Sequence, residues 1–120
     1  MRGYVYVLSN PYMPDIVKIG RTMRDVASRA RDLFTSGVPG AFVIDASVLS
    51  PDCEHLEIMM HEHFQKERVS ENREFFRIST NNAEVELLRL QKFQLECWIS
   101  DFNENLAVVN ELELRSFAKE

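Results

Sequence analysis

The sequence predicts an α+β fold: a small, largely antiparallel central sheet flanked by helices, with a C-terminal helical extension. Three observations predict it. Two alternating, β-rich stretches at the start are joined by a Pro-punctuated turn, two helical stripes bracket a third strand, and the last third of the chain keeps helical spacing.

Residues 4–9, "YVYVLS", alternate and are rich in β-branched and aromatic side chains; "PYMPD" is a turn, and "IVKIGR" alternates again. Together they predict a β-hairpin with a long loop. Thr22 offers an N-cap, and Val26, Ala30, Leu33 and Phe34 recur at helical spacing until "SGVPG", so a helix is expected from Asp25 to Ser36. "AFVIDASVL" is a third strand. Ser50 can cap the next helix and Pro51 occupy its first turn, with Cys53, Leu56, Met60 and Phe64 as the apolar stripe to about Glu67. "VSENRE" reads as a polar loop and "FFRIS" as a short fourth strand or extended segment. From Asn82 a helix runs through Val85, Leu88, Leu95, Trp98 and Ile99, and "DFNEN" is expected to separate it from a last helix to about Phe117. Residues 1–80 are thus the expected core, and 81–120 a helical extension that packs on the core or mediates association.

The 120 residues suffice for one domain, and no repeat or low-complexity segment interrupts them. Apolar runs reach only four or five residues and the N-terminus lacks the order of a signal peptide, so a cytoplasmic protein without membrane contact is expected. Cys53 and Cys97 are far apart with no ligand spacing, which argues against a zinc site or disulfide framework. A net charge of −5 excludes nucleic-acid binding by global positive charge. The imbalance lies in the tail, where from Glu84 onward eight acids face only Arg89, Lys92, Arg115 and Lys119. Lys18, Arg21, Arg24, Arg29 and Arg31 instead form a local basic cluster broken by Asp25.

Strand parity places Val5 and Val7 on one face and Tyr4 and Tyr6 on the other. If the hairpin pairs its apolar sets, Val17 and Ile19 join the valines, and Tyr4, Tyr6, Lys18 and the bare backbone of Gly20 share a surface with room for a ligand. An exposed sheet face with snorkelling Tyr and Lys is the plain alternative. Arg29 borders the buried stripe of its helix, so it needs an anion, either a structural carboxylate or a phosphate. Arg24 and Arg31 are expected to face solvent. Glu57 and His61, four apart, edge the stripe of the second helix. A carboxylate there needs a cation, either Arg29 or a divalent metal, and Glu54 falls on the same side. His61 and His63 do not make a zinc-protease motif. Tyr, Lys, Arg and Glu are the inventory of phosphodiester chemistry.

"GYVYVLSN" followed by "VKIG", with an Arg in the next helix and a Glu in a later one, resembles the GIY-YIG nuclease superfamily. It is most similar to the phage-type (T5-type) branch also found in meiotically up-regulated proteins. That branch's KIGRT-like strand, ExxxH helix and REWF-like segment correspond to "VKIGRT", "EIMMH" (57–61) and "REFF" (73–76). The resemblance covers about Gly3 to Ser79. Tyr6 falls at the first motif's tyrosine, with Tyr4 where its glycine usually stands, and Lys18 takes the place of the second motif's tyrosine. Arg29 and Glu57 match the family's arginine and metal-binding glutamate.

The resemblance implies hydrolysis of DNA with one Mg²⁺-like (or Mn²⁺) ion held by Glu57. Arg29 would stabilise phosphate charge, and Tyr6 would orient or deprotonate water. Lys18 would either lower the Tyr6 pKa or contact the phosphate. Tyr4, Gly20, Arg21, His61, Arg68 and Arg73 are expected as supporting or phosphate-binding residues, with Glu74 a rival metal ligand. A catalytically silent module that binds nucleic acid or regulates a partner is the alternative. The apolar residues of the C-terminal helices either complete the core or form a homodimer surface.

Overall fold

The computed structural model describes residues 1–34, 40–70 and 74–118. Four strands, β1 (Gly3–Ser9), β2 (Val17–Thr22), β3 (Val43–Ser50) and β4 (Phe75–Phe76), form one antiparallel sheet in the order β3-β1-β2-β4. Three α-helices pack on it: α1 (Val26–Asp32), α2 (Cys53–His63) and α3 (Thr80–Ala118), with a 3₁₀ turn at Gln65–Glu67. The fold is α+β, and helices cover both faces of the sheet.

The hairpin register decides what each face carries. Tyr6 pairs with Gly20, Val7 with Ile19 and Leu8 with Lys18. Val5, Val7, Val17 and Ile19 therefore point together at Leu56 and Met60 of α2 and at Ala83, Leu87 and Leu90 of α3, forming the larger core. The opposite face buries Tyr6 and Leu8 under Val26 and Ala30 of α1, with Tyr4, Leu33 and Phe42 around them. The predicted parity of the hairpin is the observed one.

Several boundaries differ from expectation. Helix α1 is capped by Asp25, whose carboxylate accepts from the Ser28 amide at 2.8 Å, not by Thr22, and it ends at Asp32. Residues 35–39, where its stop was expected, lie outside the described residues. Asp52 caps α2, while the Ser50 hydroxyl accepts from the Asp52 amide one step earlier. Helix α2 ends at His63 and the chain tightens into the 3₁₀ turn before Arg68. "FFRIS" contributes only two residues of strand.

The largest correction is at the C-terminus, where one unbroken helix replaces the expected pair. "DFNEN" contains no Gly or Pro, and Asp and Asn cost a helix interior only a few tenths of a kcal/mol each, too little to end it. The first turns of α3 belong to the globular core through Ala83, Leu87, Leu90 and Gln94. The Gln94 carboxamide accepts from the Ser50 hydroxyl at 2.6 Å, donates to the Asp52 carbonyl at 3.0 Å and places its nitrogen 3.3 Å from His55 Nδ1. From Leu95 to Ser116 every residue is exposed, and the molecule extends 70 Å along its long axis. No helix among the described residues is long and apolar enough to cross a membrane.

Candidate active site

The Tyr6 ring lies over the bare backbone of Gly20. A Cβ at Gly20 would meet the phenol oxygen at 2.5 Å and Cζ at 2.7 Å. Gly20 therefore makes room for the tyrosine, where the sequence suggested room for a ligand. The phenol oxygen is buried and makes no well-formed hydrogen bond among the described residues. Burial pushes its pKa above the ordinary value near 10; the Arg29 guanidinium on α1 opposes that shift, and the Glu74 and Glu57 carboxylates add to it.

Arg29 reaches this point because α1 lies across the Tyr6 face and presents it one turn after Val26. It is half-buried and forms no ion pair among the described residues. Of its basic neighbours, Lys18 pairs with Glu74, Arg21 with Glu57 and Arg24 with Asp32, while Arg31 donates to the Ser28 hydroxyl. The anion that Arg29 requires is thus supplied by no carboxylate of the described chain.

Lys18 shares the Tyr6 face as parity required, but its ammonium is spent elsewhere. Its Nζ donates to Glu74 Oε2 at 3.0 Å and lies 5.2 Å from the Phe75 ring centroid. The expected lowering of the Tyr6 pKa by Lys18 is not what the site does, because the neighbouring Glu74 carboxylate takes up that charge. Glu74 reaches this position because its carbonyl accepts from the Ile19 amide just ahead of the β2–β4 pairing.

Glu57 enters from α2, on the other side of the sheet, at the same end of β2. It is only 5% exposed, and its Oε1 accepts from Arg21 Nη1 at 2.7 Å. The cation beside it is Arg21, not Arg29: β2 parity puts Arg21 on the α2 side and Gly20 on the α1 side. Burial and the nearby Glu74 carboxylate push Glu57 above the usual carboxylate range, against the pull of His61 and Arg21.

His61 has a structural setting. Its Nε2 lies 2.9 Å from the Ile19 carbonyl oxygen, to which it donates, and its Nδ1 lies 3.4 Å from Arg68 Nη2. Arg68 also lies over the Phe76 ring. Tyr4 borders the α1-side cluster, Glu54 lines a small cavity with Arg21 and Cys53, and Arg73 lies outside the described residues.

Tyr6 is therefore within electrostatic reach of Arg29, Glu74 and Glu57, and Glu57 of Glu74, around the end of β2. Among the described residues, no group of three or more His, Cys, Asp or Glu side chains is arranged for a metal. The donor chemistry still suits a hard ion held by one carboxylate and completed by water and phosphate. Glu57 is buried and repelled by Glu74, a strain that a cation relieves.

The T5orf172 domain family model matches residues 3–93, from β1 into the core-packed part of α3. No curated protein and no solved structure gives a significant match.

Proposed function

Because the chain belongs to the T5orf172 domain family, a phage-type, nuclease-like domain, we propose that it is a metal-dependent endonuclease that hydrolyses DNA phosphodiester bonds through a GIY-YIG-type site. One observation carries this reading: a half-buried Arg29 that pairs with no carboxylate among the described residues faces a buried phenol that makes no hydrogen bond of good geometry among them. Two polar groups left incomplete at one place are costly to folding, and a bound phosphate with its attacking water completes both.

Arg29 offsets the charge that builds on the non-bridging oxygens as water adds to phosphorus and the P–O bond to the leaving oxygen breaks. Tyr6, with its pKa raised, acts as a neutral phenol at physiological pH. It orients the water by hydrogen bonding and is not its base; the proton the water loses passes to solvent, and the leaving oxygen takes one from solvent. Glu57 is the residue that would hold a Mg²⁺- or Mn²⁺-class ion, and such an ion supplies Lewis-acid stabilisation of the leaving oxygen when bound. Arg21, whose side chain is 42% exposed, is free to leave Glu57 for the substrate phosphate. Lys18 holds Glu74 in place at the mouth of the site.

The test is nicking of supercoiled plasmid in Mg²⁺ or Mn²⁺. Wild-type cleavage should fall about 10²- to 10³-fold in Arg29→Ala, the magnitude of losing one transition-state donor, and should vanish in Glu57→Ala. Cleavage that survives Glu57→Ala would remove Glu57 from the site. The second reading, a silent nucleic-acid-binding module, is favoured by Lys18 standing in place of a second phenol and being paired to Glu74. DNA binding without cleavage in either metal would select it.

A further inference from the structure

We infer that α3 is a dimerisation element, through which two copies of this chain pair as an antiparallel two-stranded coiled coil. The core-facing stripe of α3 ends at Gln94. A different stripe, Leu95, Ile99, Phe102, Leu106 and Val109, recurs at 4-3-4-3 spacing along the projecting arm. These side chains are 37%, 60%, 65%, 46% and 49% exposed. That spacing puts Leu95, Phe102 and Val109 at one core position of a heptad, and Lys92, Ile99, Leu106 and Glu113 at the other. From Lys92 to Glu113 it spans three heptads, about 32 Å at 1.5 Å per residue. An arm of this length with no tertiary contacts is marginal alone in water, so its apolar seam needs a partner.

Charge selects a second copy and its direction. The seam carries one cation, Lys92, near its start and one anion, Glu113, near its end. Antiparallel self-pairing brings Lys92 of each copy close to Glu113 of the other at both ends of the seam. Parallel pairing would set Lys92 against Lys92 and Glu113 against Glu113, and like charges in facing core positions oppose association. The stripe is thus complementary to its own reverse. The globular parts, one at each end of the pair, keep their candidate sites clear of the seam.

Sedimentation equilibrium of the full chain tests this, with the emission of Trp98, the chain's single tryptophan, as a second readout beside the seam. Wild type should show the mass of two chains, and Phe102→Asp the mass of one with Trp98 emission shifted to the red. Phe102 is exposed and belongs to neither core cluster of the described residues, so that variant keeps its fold. Lys92→Glu or Glu113→Lys alone should each weaken the dimer roughly tenfold, the sum of two lost and two newly repulsive pairs. The double variant should restore it. A wild-type monomer at all concentrations would overturn the inference and leave the stripe to an unrelated partner, as would a dimer indifferent to Phe102→Asp. A double variant no tighter than the singles would overturn the antiparallel pairing.

Discussion

Glu57 stands where its charge is disfavoured: burial first, and repulsion from Glu74 with it, outweigh the pull of His61 and Arg21. A carboxyl whose folded pKa lies above its unfolded value near 4.5 binds more protons when folded. Its contribution to stability is therefore complete below pH 4.5 and is lost as pH rises through the folded value. Glu57→Gln, a neutral isostere, should then melt at or above the wild-type temperature at pH 7, with the difference closing as pH falls below 4.5. A melting temperature clearly lower than wild type at pH 7 would show that the Arg21 pair outweighs the burial. A residue kept charged against stability is the mark of a functional carboxylate. The sequence showed Glu57 at the edge of its stripe and its need for a cation. It could not show that Arg21 meets that need, because the pairing depends on how α2 and the end of β2 meet across 36 residues of chain. Lys18 was likewise placed on the right face by parity, while its partner Glu74 follows from the register of a two-residue strand that no periodicity marks.

Among the elements, the hairpin was the most legible, because a one-residue slip would have turned Val5, Val7, Val17 and Ile19 out of the core. The same register sets Gly20 beneath the Tyr6 ring, which makes that glycine a packing requirement of the site. Gly20→Ala would place a methyl group within 3 Å of three atoms of a rigid, fully buried ring. The ring has no free rotamer to yield with, so destabilisation of about 1–3 kcal/mol is expected from overpacking. Cleavage should fall together with stability as Tyr6 shifts; a variant that melts and cleaves like wild type would show that the phenol does not need this seat. Helix α3 was the least legible element. Its polar "DFNEN" segment resembles a loop by composition, but polarity ends a helix only where Gly, Pro or a competing cap offers the backbone a better conformation. A segment with no core to face is free to be polar and helical at once.

Across the whole molecule, charge is divided between an acidic arm and a core in which the cations nearest the end of β2 are paired with carboxylates. The net charge is −5, and Lys18, Arg21 and Arg24 each have a carboxylate partner. In the proposed site a DNA phosphate would meet Arg29, which has no carboxylate partner among the described residues, with Arg21 joining once it leaves Glu57. Few counterions should then be released per site. With a slope of about −0.9 per phosphate neutralised, the logarithm of affinity should fall with the logarithm of salt concentration at only about −2 per site. Binding of duplex DNA measured by anisotropy across a salt series checks this, and Arg29→Ala should reduce the magnitude of the slope by about one. An unchanged slope in Arg29→Ala would mean that Arg29 does not meet the phosphate. A slope several times steeper in wild type would place DNA on a basic surface other than the Tyr6 face. A shallow slope implies weak engagement by one site alone, so two sites carried on one paired molecule would hold DNA far better than either separately.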